Sequence, residues 1–190
     1  HAIHIKEHTR LICNSGAASM GYDLPAAIGC CFATGKKDTL CLTGDGSIQM
    51  NLQELQTIVF HKLPIKIFVV NNQGYHSMRQ TEGNLFPEYT KVGIGPESGD
   101  LSFPDMSKIA AAYGIPYMSA KSNEEIPNAV EEMLHKEGFA MCEIFVDINQ
   151  KFATKKLADG TLVSPPLEDL APFLPREELE KIMIIPMWEG

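Results

Sequence analysis

The chain has 190 residues, which is enough for one domain with a sizeable core, or for one domain and a tail. Its 24 acidic residues outnumber its 16 Lys and Arg residues, and the net charge of -8 disfavours nucleic acids and anionic membranes as partners. No apolar run reaches about 18 residues, so we expect a cytoplasmic protein without a membrane span.

Short apolar runs bounded by Gly, Pro or Asn predict strands along the chain. In chain order they are "RLIC", "TLCLT", "IKIFVV", "IPYMSA" and "MCEIFVDI". Helical patterns lie between them, namely "DLPAAIGCCFATG", "NLQELQTIVFHK", "FPDMSKIAAAYG" and "SNEEIPNAVEEMLHKEG". In the last pattern, Ser122 and Glu125 have the spacing of a capping box.

The alternation of strands and helices predicts the fold class. Right-handed crossovers give an α/β domain with a doubly wound, mostly parallel sheet and helices on both faces. We expect this domain to span residues 1–150. The periodic pattern ends there, and the Pro-rich segment 151–190 predicts a C-terminal tail that packs on the domain or on a partner.

The cysteines form neither a metal-binding pattern nor an even set. Five are present, most of them in apolar runs, and no CxxC pair occurs. We therefore expect buried free thiols in a reducing compartment. They are Cys13, Cys30, Cys31, Cys41 and Cys142.

Two polar turns directly follow apolar runs, "GDGS" after "TLCLT" and "NNQG" after "IKIFVV". Either turn alone is a common way to leave a sheet. If both runs are parallel strands joined by one helix, the turns meet at the carboxyl edge of the sheet, and Asp45 and Asn72 converge. Carboxylate and amide oxygens suit Mg²⁺ or Ca²⁺, while Gly44 and Gly46 allow a ligand to approach the backbone. The pair predicts a site for a metal and a diphosphate.

Two motifs carry a family resemblance. The segments "GDGSIQMNLQEL" and "VVNNQGYHSM" resemble the cofactor motif of thiamine diphosphate enzymes. Upstream, "NSGAASMGYDLPAAIG" resembles the segment that holds the aminopyrimidine ring in the acetolactate synthase and pyruvate decarboxylase branch. Residues 10–146 resemble the C-terminal diphosphate-binding domain of that branch. The resemblance implies thiamine diphosphate and Mg²⁺ as cofactors.

The resemblance also implies roles for individual residues. Asp45 and Asn72 would bind Mg²⁺ through side-chain oxygens, and Gly74 through its carbonyl oxygen. Met20 would wedge between the two cofactor rings, although packing in the core is the alternative for a Met. The other residues implied to contact the cofactor are Ala18 through its carbonyl, Gly44, Gly46, Ser47, Tyr75 and His76.

Candidates for the substrate pocket follow the second turn. They are Ser77, Met78 and Gln80. Thr81 stands where acetolactate synthases usually carry Trp, and Met78 lies close to the position of a catalytic Glu in pyruvate decarboxylases. These positions favour neither named activity. His76 is a candidate acid or base beside this turn, but a surface or hydrogen-bonded His is the alternative.

By the same resemblance, the chain is part of an enzyme that decarboxylates a small 2-oxo acid and can ligate the product to a carbonyl. Its activating glutamate would lie on a pyrimidine-binding domain of the same protein or of a neighbouring subunit in a homo-oligomer. No catalytic residue is then expected here, and the family's first strand would lie before His1. Two alternatives stay open: a small subunit of a two-chain decarboxylase, and a non-catalytic cofactor-binding or regulatory module.

Overall fold

The computed structural model describes residues 5–150 and 175–184. Internal contacts divide the chain into two units, His1–Gln150 and Lys151–Gly190. The described part of the second unit contains one helix, α7 (Arg176–Ile182). The rest of the predicted Pro-rich tail, residues 151–174 and 185–190, lies outside the described residues. Among the residues described, no helix combines the length and apolarity needed to cross a bilayer.

The first unit is built on a parallel sheet. Its four described strands are β1 (Thr39–Gly44), β2 (Ile65–Asn71), β3 (Tyr117–Ala120) and β4 (Ala140–Phe145). They lie in the order β1-β2-β4-β3, and every neighbouring pair is parallel. Four of the predicted strands are therefore confirmed, and their carboxyl ends share one edge of the sheet.

Helices precede and connect these strands. They are α1 (Asp23–Ala33), α2 (Asp45–Ile48), α3 (Glu54–His61), α4 (His76–Leu85), α5 (Met106–Ala112) and α6 (Ile126–His135). Short 3-10 helices span Gln49–Asn51 and Pro96–Ser98. The four predicted helices correspond to α1, α3, α5 and α6. α2 and α4 begin directly at the two polar turns.

The sheet is covered on both faces, as predicted for a doubly wound fold. Because side chains alternate along a strand, Ile67 and Val69 of β2 point to one face and Phe68 to the other. The first face packs against α1, α3 and α5 in the larger apolar cluster. The second face packs against α6, where Met133 is fully buried against Phe68.

Two local predictions are wrong. The "RLIC" run forms no strand, and its Leu11 and Ile12 are 53% and 49% exposed, because no described strand lies beside it to complete a ladder. The capping box also fails. α6 begins at Ile126 with a proline in its first turn, and the Glu125 carboxylate accepts instead from the Lys121 amide at 2.7 Å.

The cysteines are all free, as predicted. Cys31, Cys41 and Cys142 are buried, Cys30 is half-buried and Cys13 is exposed. Burial raises the pKa of the Cys41 thiol to about 12, so this thiol stays protonated at neutral pH. The prediction of burial is therefore wrong for Cys13, which lies in the exposed "RLIC" segment.

Burial in the larger cluster predicts a contrast between two leucines. Leu55 of α3 is fully buried, whereas Leu42 of β1 is 61% exposed. Leu55→Ala should lower the free energy of unfolding by about 2–5 kcal/mol, because it removes buried methyl groups and leaves a cavity. Leu42→Ala should cost less than about 1 kcal/mol. Urea unfolding measures both values, and equal shifts of the two midpoints would contradict the assignment of the core.

Candidate functional site

The two polar turns meet at the carboxyl edge of the sheet. β1 ends at Gly44, which pairs in register with Val70 of β2. Asp45 therefore directly follows one strand, and Asn71 ends the neighbouring parallel strand. The contact between the turns is direct, because the amide of Gly74 donates to the Asp45 carboxylate at 3.0 Å. The structure thus brings the "GDG" and "NNQG" turns together.

Asp45 is a buried residue, only 2% exposed, and carries a carboxylate. One of its oxygens accepts from the amide of Gly46 at 2.9 Å, and the other accepts from Gly74. Burial raises the pKa of Asp45, while these backbone donors and the positive charge of Arg79 oppose the rise. A cation beside this carboxylate would offset the cost of keeping it charged away from water.

Asn72 carries an unpartnered side-chain oxygen in the turn that contacts Asp45 through Gly74. Its side-chain Oδ1 is buried and accepts no hydrogen bond from any described residue. Such an orphaned acceptor is rare in native proteins, and a metal ligand is one explanation for it. Together with Asp45 it forms a set of hard oxygen donors, which fits Mg²⁺.

The residues that the structure describes do not complete a metal site from acidic or His side chains alone. Within the described ranges, no group of three or more His, Cys, Asp or Glu residues could hold a metal ion. A cation at Asp45 and Asn72 would therefore need further oxygens from carbonyls, water or a bound ligand such as a phosphate. This donor set fits a metal that bridges the protein and an anion.

Gly74 is required by the shape of the second turn. Its φ of +150° is a conformation that other residues rarely adopt, and an added Cβ would lie 2.0 Å from the carbonyl oxygen of Ile94. The same carbonyl accepts from the amide of Tyr75 at 2.8 Å. The loop carrying Ile94 therefore packs directly against the turn.

The first turn is tightly packed as well. An added Cβ on Gly46 would lie 2.4 Å from the ring of Tyr75, which contacts Phe103 edge-on at a centroid distance of 5.6 Å. The ring of Tyr75 thus lies against the "GDG" turn. Gly44 immediately precedes α2 and is half-buried. Contact of these residues with a diphosphate stays a prediction.

Ser47 joins the first turn to the upstream segment. Its hydroxyl donates to Asp23 at 2.6 Å and accepts from the amide of Gly21 at 2.9 Å. The Thr43 hydroxyl also donates to Asp23, at 2.5 Å, and the Asn51 side chain donates to the carbonyl of Gly21 at 2.6 Å. The sequence analysis missed Asp23 and Asn51. Asp23 has a detectable signal, since it is the one acidic residue in the first turn of α1.

Ala18 and Met20 lie in this upstream segment, just before Gly21. Both are exposed, with Met20 at 46%, so the alternative that Met20 packs in the core is wrong. Ala18 has a positive φ of 48°, which is uncommon for a residue with a side chain. Their predicted contacts with an aminopyrimidine are not tested by the structure and stay predictions.

The residues of α4 differ in accessibility. His76, the first residue of the helix, is buried at 8% exposure, so the surface alternative does not hold for it. Ser77 and Met78 are exposed and Gln80 is half-buried. A ligand at this edge could therefore reach the first two directly.

Arg79 clamps the second turn and was missed by the sequence analysis. Its guanidinium donates to the carbonyl of Asn72 at 3.1 Å and to the carbonyl of Gln73 at 2.9 Å. Its Nε donates to the carboxylate of Glu97, which also forms an ion pair with it. A single positive charge one helical turn after the "NNQG" motif is the signal that could have indicated this role.

The ion pair between Arg79 and Glu97 predicts a pH dependence of stability. The hydrogen bond from Arg79 lowers the pKa of Glu97 from its usual 4.5, so the pair stabilises the fold above that pH and loses this effect as the pH falls through the lowered value. Glu97→Gln should therefore lower the melting temperature at pH 7, and the difference from the unsubstituted protein should shrink as the pH falls below 4.5. The exposed Glu88 is the control, since Glu88→Gln should leave the melting temperature nearly unchanged. If the difference in melting temperature between Glu97→Gln and the unsubstituted protein grows on acidification, Arg79 and Glu97 do not form a stabilising ion pair.

Comparison with known proteins identifies the family. Residues 1–144 match the family described as thiamine pyrophosphate enzyme, C-terminal TPP binding domain, thiamine pyrophosphate being another name for thiamine diphosphate. The acetolactate synthase large subunit of Cyanidium caldarium is 33% identical over 141 residues, which is 74% of this chain and 23% of that protein. Acetolactate synthase isozyme 2 large subunit of Escherichia coli (strain K12) is 33% identical over 144 residues, covering 74% of this chain and 25% of that protein.

Solved structures show the same fold. Thiamine diphosphate-dependent 4-hydroxybenzoylformate decarboxylase of Rhodococcus jostii RHA1 has a TM-score of 0.61 at 23% identity, over 71% of this chain and 24% of that chain. Benzoylformate decarboxylase of Polynucleobacter necessarius has a TM-score of 0.60 at 25% identity, over 71% and 25%. This chain spans about a quarter of the length of these relatives. From the match over residues 1–144 and the likeness of the sheet, the chain belongs to the C-terminal thiamine pyrophosphate-binding domain family of the thiamine pyrophosphate enzymes.

Proposed function

We propose that this chain holds the diphosphate of thiamine diphosphate through a Mg²⁺ ion bound by Asp45, Asn72 and the carbonyl of Gly74. The observation that carries the proposal is the buried, unpartnered oxygen of Asn72, in the turn whose Gly74 amide donates to the buried carboxylate of Asp45 at the ends of adjacent parallel strands. Among the residues described, acidic and His side chains do not complete a metal shell, so water or the diphosphate would supply further oxygens.

The surrounding residues would orient the cofactor. Gly44 and Gly46 keep the first turn free of side chains, while Ser47, Tyr75 and His76 contact the diphosphate. The carbonyl of Ala18 accepts from the aminopyrimidine, and Met20 supports the bent shape of the cofactor. The exposure of Met20 supports this role, because a ligand can reach the Met20 side chain. Ser77, Met78 and Gln80 line the substrate pocket.

The reaction we propose is that of an acetolactate synthase-like lyase or transferase. The protein decarboxylates a small 2-oxo acid and transfers the product to a carbonyl acceptor. The relatives described above, which are acetolactate synthase large subunits, support this class. Bound thiamine diphosphate supplies the nucleophilic carbon and the electron sink for this chemistry. The residues of this chain bind and orient the cofactor, and none of them is assigned as an acid or a base.

A second protein region completes the site in this proposal. A pyrimidine-binding domain, in the same protein or in a neighbouring subunit of a homo-oligomer, supplies the activating glutamate. The free thiols support a reducing compartment such as the cytoplasm. The 190-residue chain alone should therefore not turn over pyruvate above a control without protein.

Magnesium pyrophosphate tests the half of the site that this chain contains. Titration calorimetry of the protein should give saturable binding of pyrophosphate in Mg²⁺, and the melting temperature should rise with ligand concentration. Pyrophosphate with EDTA, Mg²⁺ alone and thiamine without a diphosphate should each bind far more weakly. If pyrophosphate binds equally with and without Mg²⁺, the metal bridge is wrong. If it does not bind at millimolar concentration, the proposed function is wrong.

A further inference from the structure

β4 carries a buried carboxylate that the proposed function does not use. Glu143 is 3% exposed in the otherwise apolar strand "AMCEIF", and the ion pairs formed by the described residues do not include it. A buried charge without a cation costs several kcal/mol unless hydrogen bonds satisfy it. An apolar residue at this position would avoid that cost, so Glu143 requires a reason beyond packing.

Both oxygens of Glu143 are satisfied by neighbouring strands. The side-chain amide of Asn71, at the end of β2, donates to Oε1 at 2.6 Å. The hydroxyl of Tyr117 on β3 donates to Oε2. Burial and the nearby Glu143 carboxylate raise the pKa of Tyr117, so its hydroxyl keeps the proton that it donates. The carboxylate, from within β4, therefore joins the carboxyl end of β2 to the first residue of β3.

The contact with Asn71 leads directly into the second turn. Asn71 turns its amide nitrogen towards Glu143 and its oxygen towards the amide of Gln73, which donates at 2.9 Å. Asn72 lies between these two anchored residues. The opposite side of the turn is held by Arg79 through the carbonyls of Asn72 and Gln73. Glu143 and Arg79 thus hold the same four-residue turn from two sides.

Packing alone does not fix the orientation of Asn71. A cavity of about 520 Å³ opens beside it, and Gln73, Tyr117 and Glu143 line the same cavity. The Asn71 side chain therefore has room to rotate away. Because a carboxylate accepts hydrogen bonds and cannot donate them when ionised, Glu143 selects the orientation in which the amide nitrogen of Asn71 faces it and the oxygen faces Gln73.

We propose that Glu143 is a positioning residue for the metal site, which acts through Asn71 to hold the "NNQG" turn so that the Asn72 oxygen is presented to the cation. This inference rests on the proposed function, since it concerns the same Mg²⁺ site. It adds a part of the site that lies on a different strand and contacts neither metal nor diphosphate. The expected behaviour is that of an outer-shell partner of a metal ligand.

Magnesium pyrophosphate binding to the protein provides the first test. Glu143→Ala should raise the dissociation constant about 10- to 100-fold, as the loss of outer-shell partners commonly does. Glu143→Gln keeps an acceptor for Asn71, so its dissociation constant should stay within about threefold of that of the unsubstituted protein. If only the charge of Glu143 mattered, Glu143→Gln would instead bind as weakly as Glu143→Ala. Tyr117→Phe is the matched control, because it removes the other partner of Glu143 without touching Asn71. It should also stay within about threefold.

Hydrogen exchange in the metal-free protein provides a readout that needs no ligand. The Gly74 amide should exchange at least about tenfold faster in Glu143→Ala, while amides within α1 keep their rates. If Glu143→Ala does not fold, Asn71→Ala breaks the same link from a half-buried position and should show both effects. In the double variant the two effects on affinity should not add, since they remove one contact.

The outcomes separate the two proposals. If the unsubstituted protein binds magnesium pyrophosphate and Glu143→Ala binds it equally well, the positioning role is wrong and the proposed function stands. If α1 and Gly74 amides accelerate together in Glu143→Ala, the residue is a general stabiliser and the positioning role is again wrong. If the unsubstituted protein does not bind magnesium pyrophosphate, the proposed function falls, and the inference about Glu143 falls with it.

Discussion

Asp45→Ala is expected to weaken Mg²⁺-dependent binding of pyrophosphate, and of thiamine diphosphate in the assembled enzyme, by at least about 100-fold. The loss of an outer-shell partner already costs about 10- to 100-fold, and Asp45 is the one charged ligand in the proposed set. Asn72→Ala should have a smaller effect, because it removes an oxygen but no charge. Titration calorimetry at fixed Mg²⁺ measures both.

The fold must be monitored in the same experiment. Asp45 accepts from the buried amides of Gly46 and Gly74, so Asp45→Ala leaves two donors unsatisfied at about 1–3 kcal/mol each. Asp45→Asn keeps the shape and one acceptor, and it should bind the metal almost as poorly while unfolding closer to the unsubstituted protein. The exposed Asp38 provides the control, and Asp38→Ala should change neither property. Unchanged affinity in folded Asp45→Asn would show that these turns do not form the site.

Gly74→Ala is expected to produce the largest loss of stability among single methyl additions. The new methyl group would lie 2.0 Å from the Ile94 oxygen at a φ of +150°, so the loop or the turn must move. We expect a loss of about 3 kcal/mol or more in the free energy of unfolding, together with loss of magnesium pyrophosphate binding.

A second glycine provides a control in which alanine should change the free energy of unfolding in the opposite direction. Gly83 lies within α4, and an added Cβ there meets nothing within 4 Å. Gly83→Ala should raise the free energy of unfolding by about 0.5–1 kcal/mol, because alanine loses less backbone freedom in a helix. Urea unfolding of both variants measures the contrast. A Gly74→Ala midpoint equal to that of the unsubstituted protein would mean that the turn tolerates a side chain.

The sheet and the meeting of the two turns were predictable because they depend on local patterns. Apolar runs of strand length precede Asp45 and Asn72, and parallel pairing necessarily places both turns at one edge. The "RLIC" run has the same local pattern but is exposed, since strand formation also needs a neighbouring strand that local sequence does not encode.

The supports of the site could not be predicted in this way. Glu143 and Asn71 are 72 positions apart, and Ser47 and Asp23 are 24 positions apart, so their hydrogen bonds exist only after the elements have packed. Glu143 in an apolar strand was visible as a charge in an unexpected place, but its partner was not. The local pattern therefore indicates the metal ligands, whereas the residues that orient them are found only in the folded structure.

The strand order also bears on the sequence of folding events. β1 and β2 pair after one short crossover, and Asp45 reaches Gly74 across only 29 positions. β4 is inserted between β2 and β3, so its contact with Asn71 closes a loop of 72 positions. The entropic cost of closing a loop grows with the number of residues in it. The β1–α3–β2 unit is therefore expected to form before β4 docks. The metal ligands would then come together early in folding, in a turn that is not yet held in place. The chain would bind its cofactor tightly only after β4 had been inserted between β2 and β3.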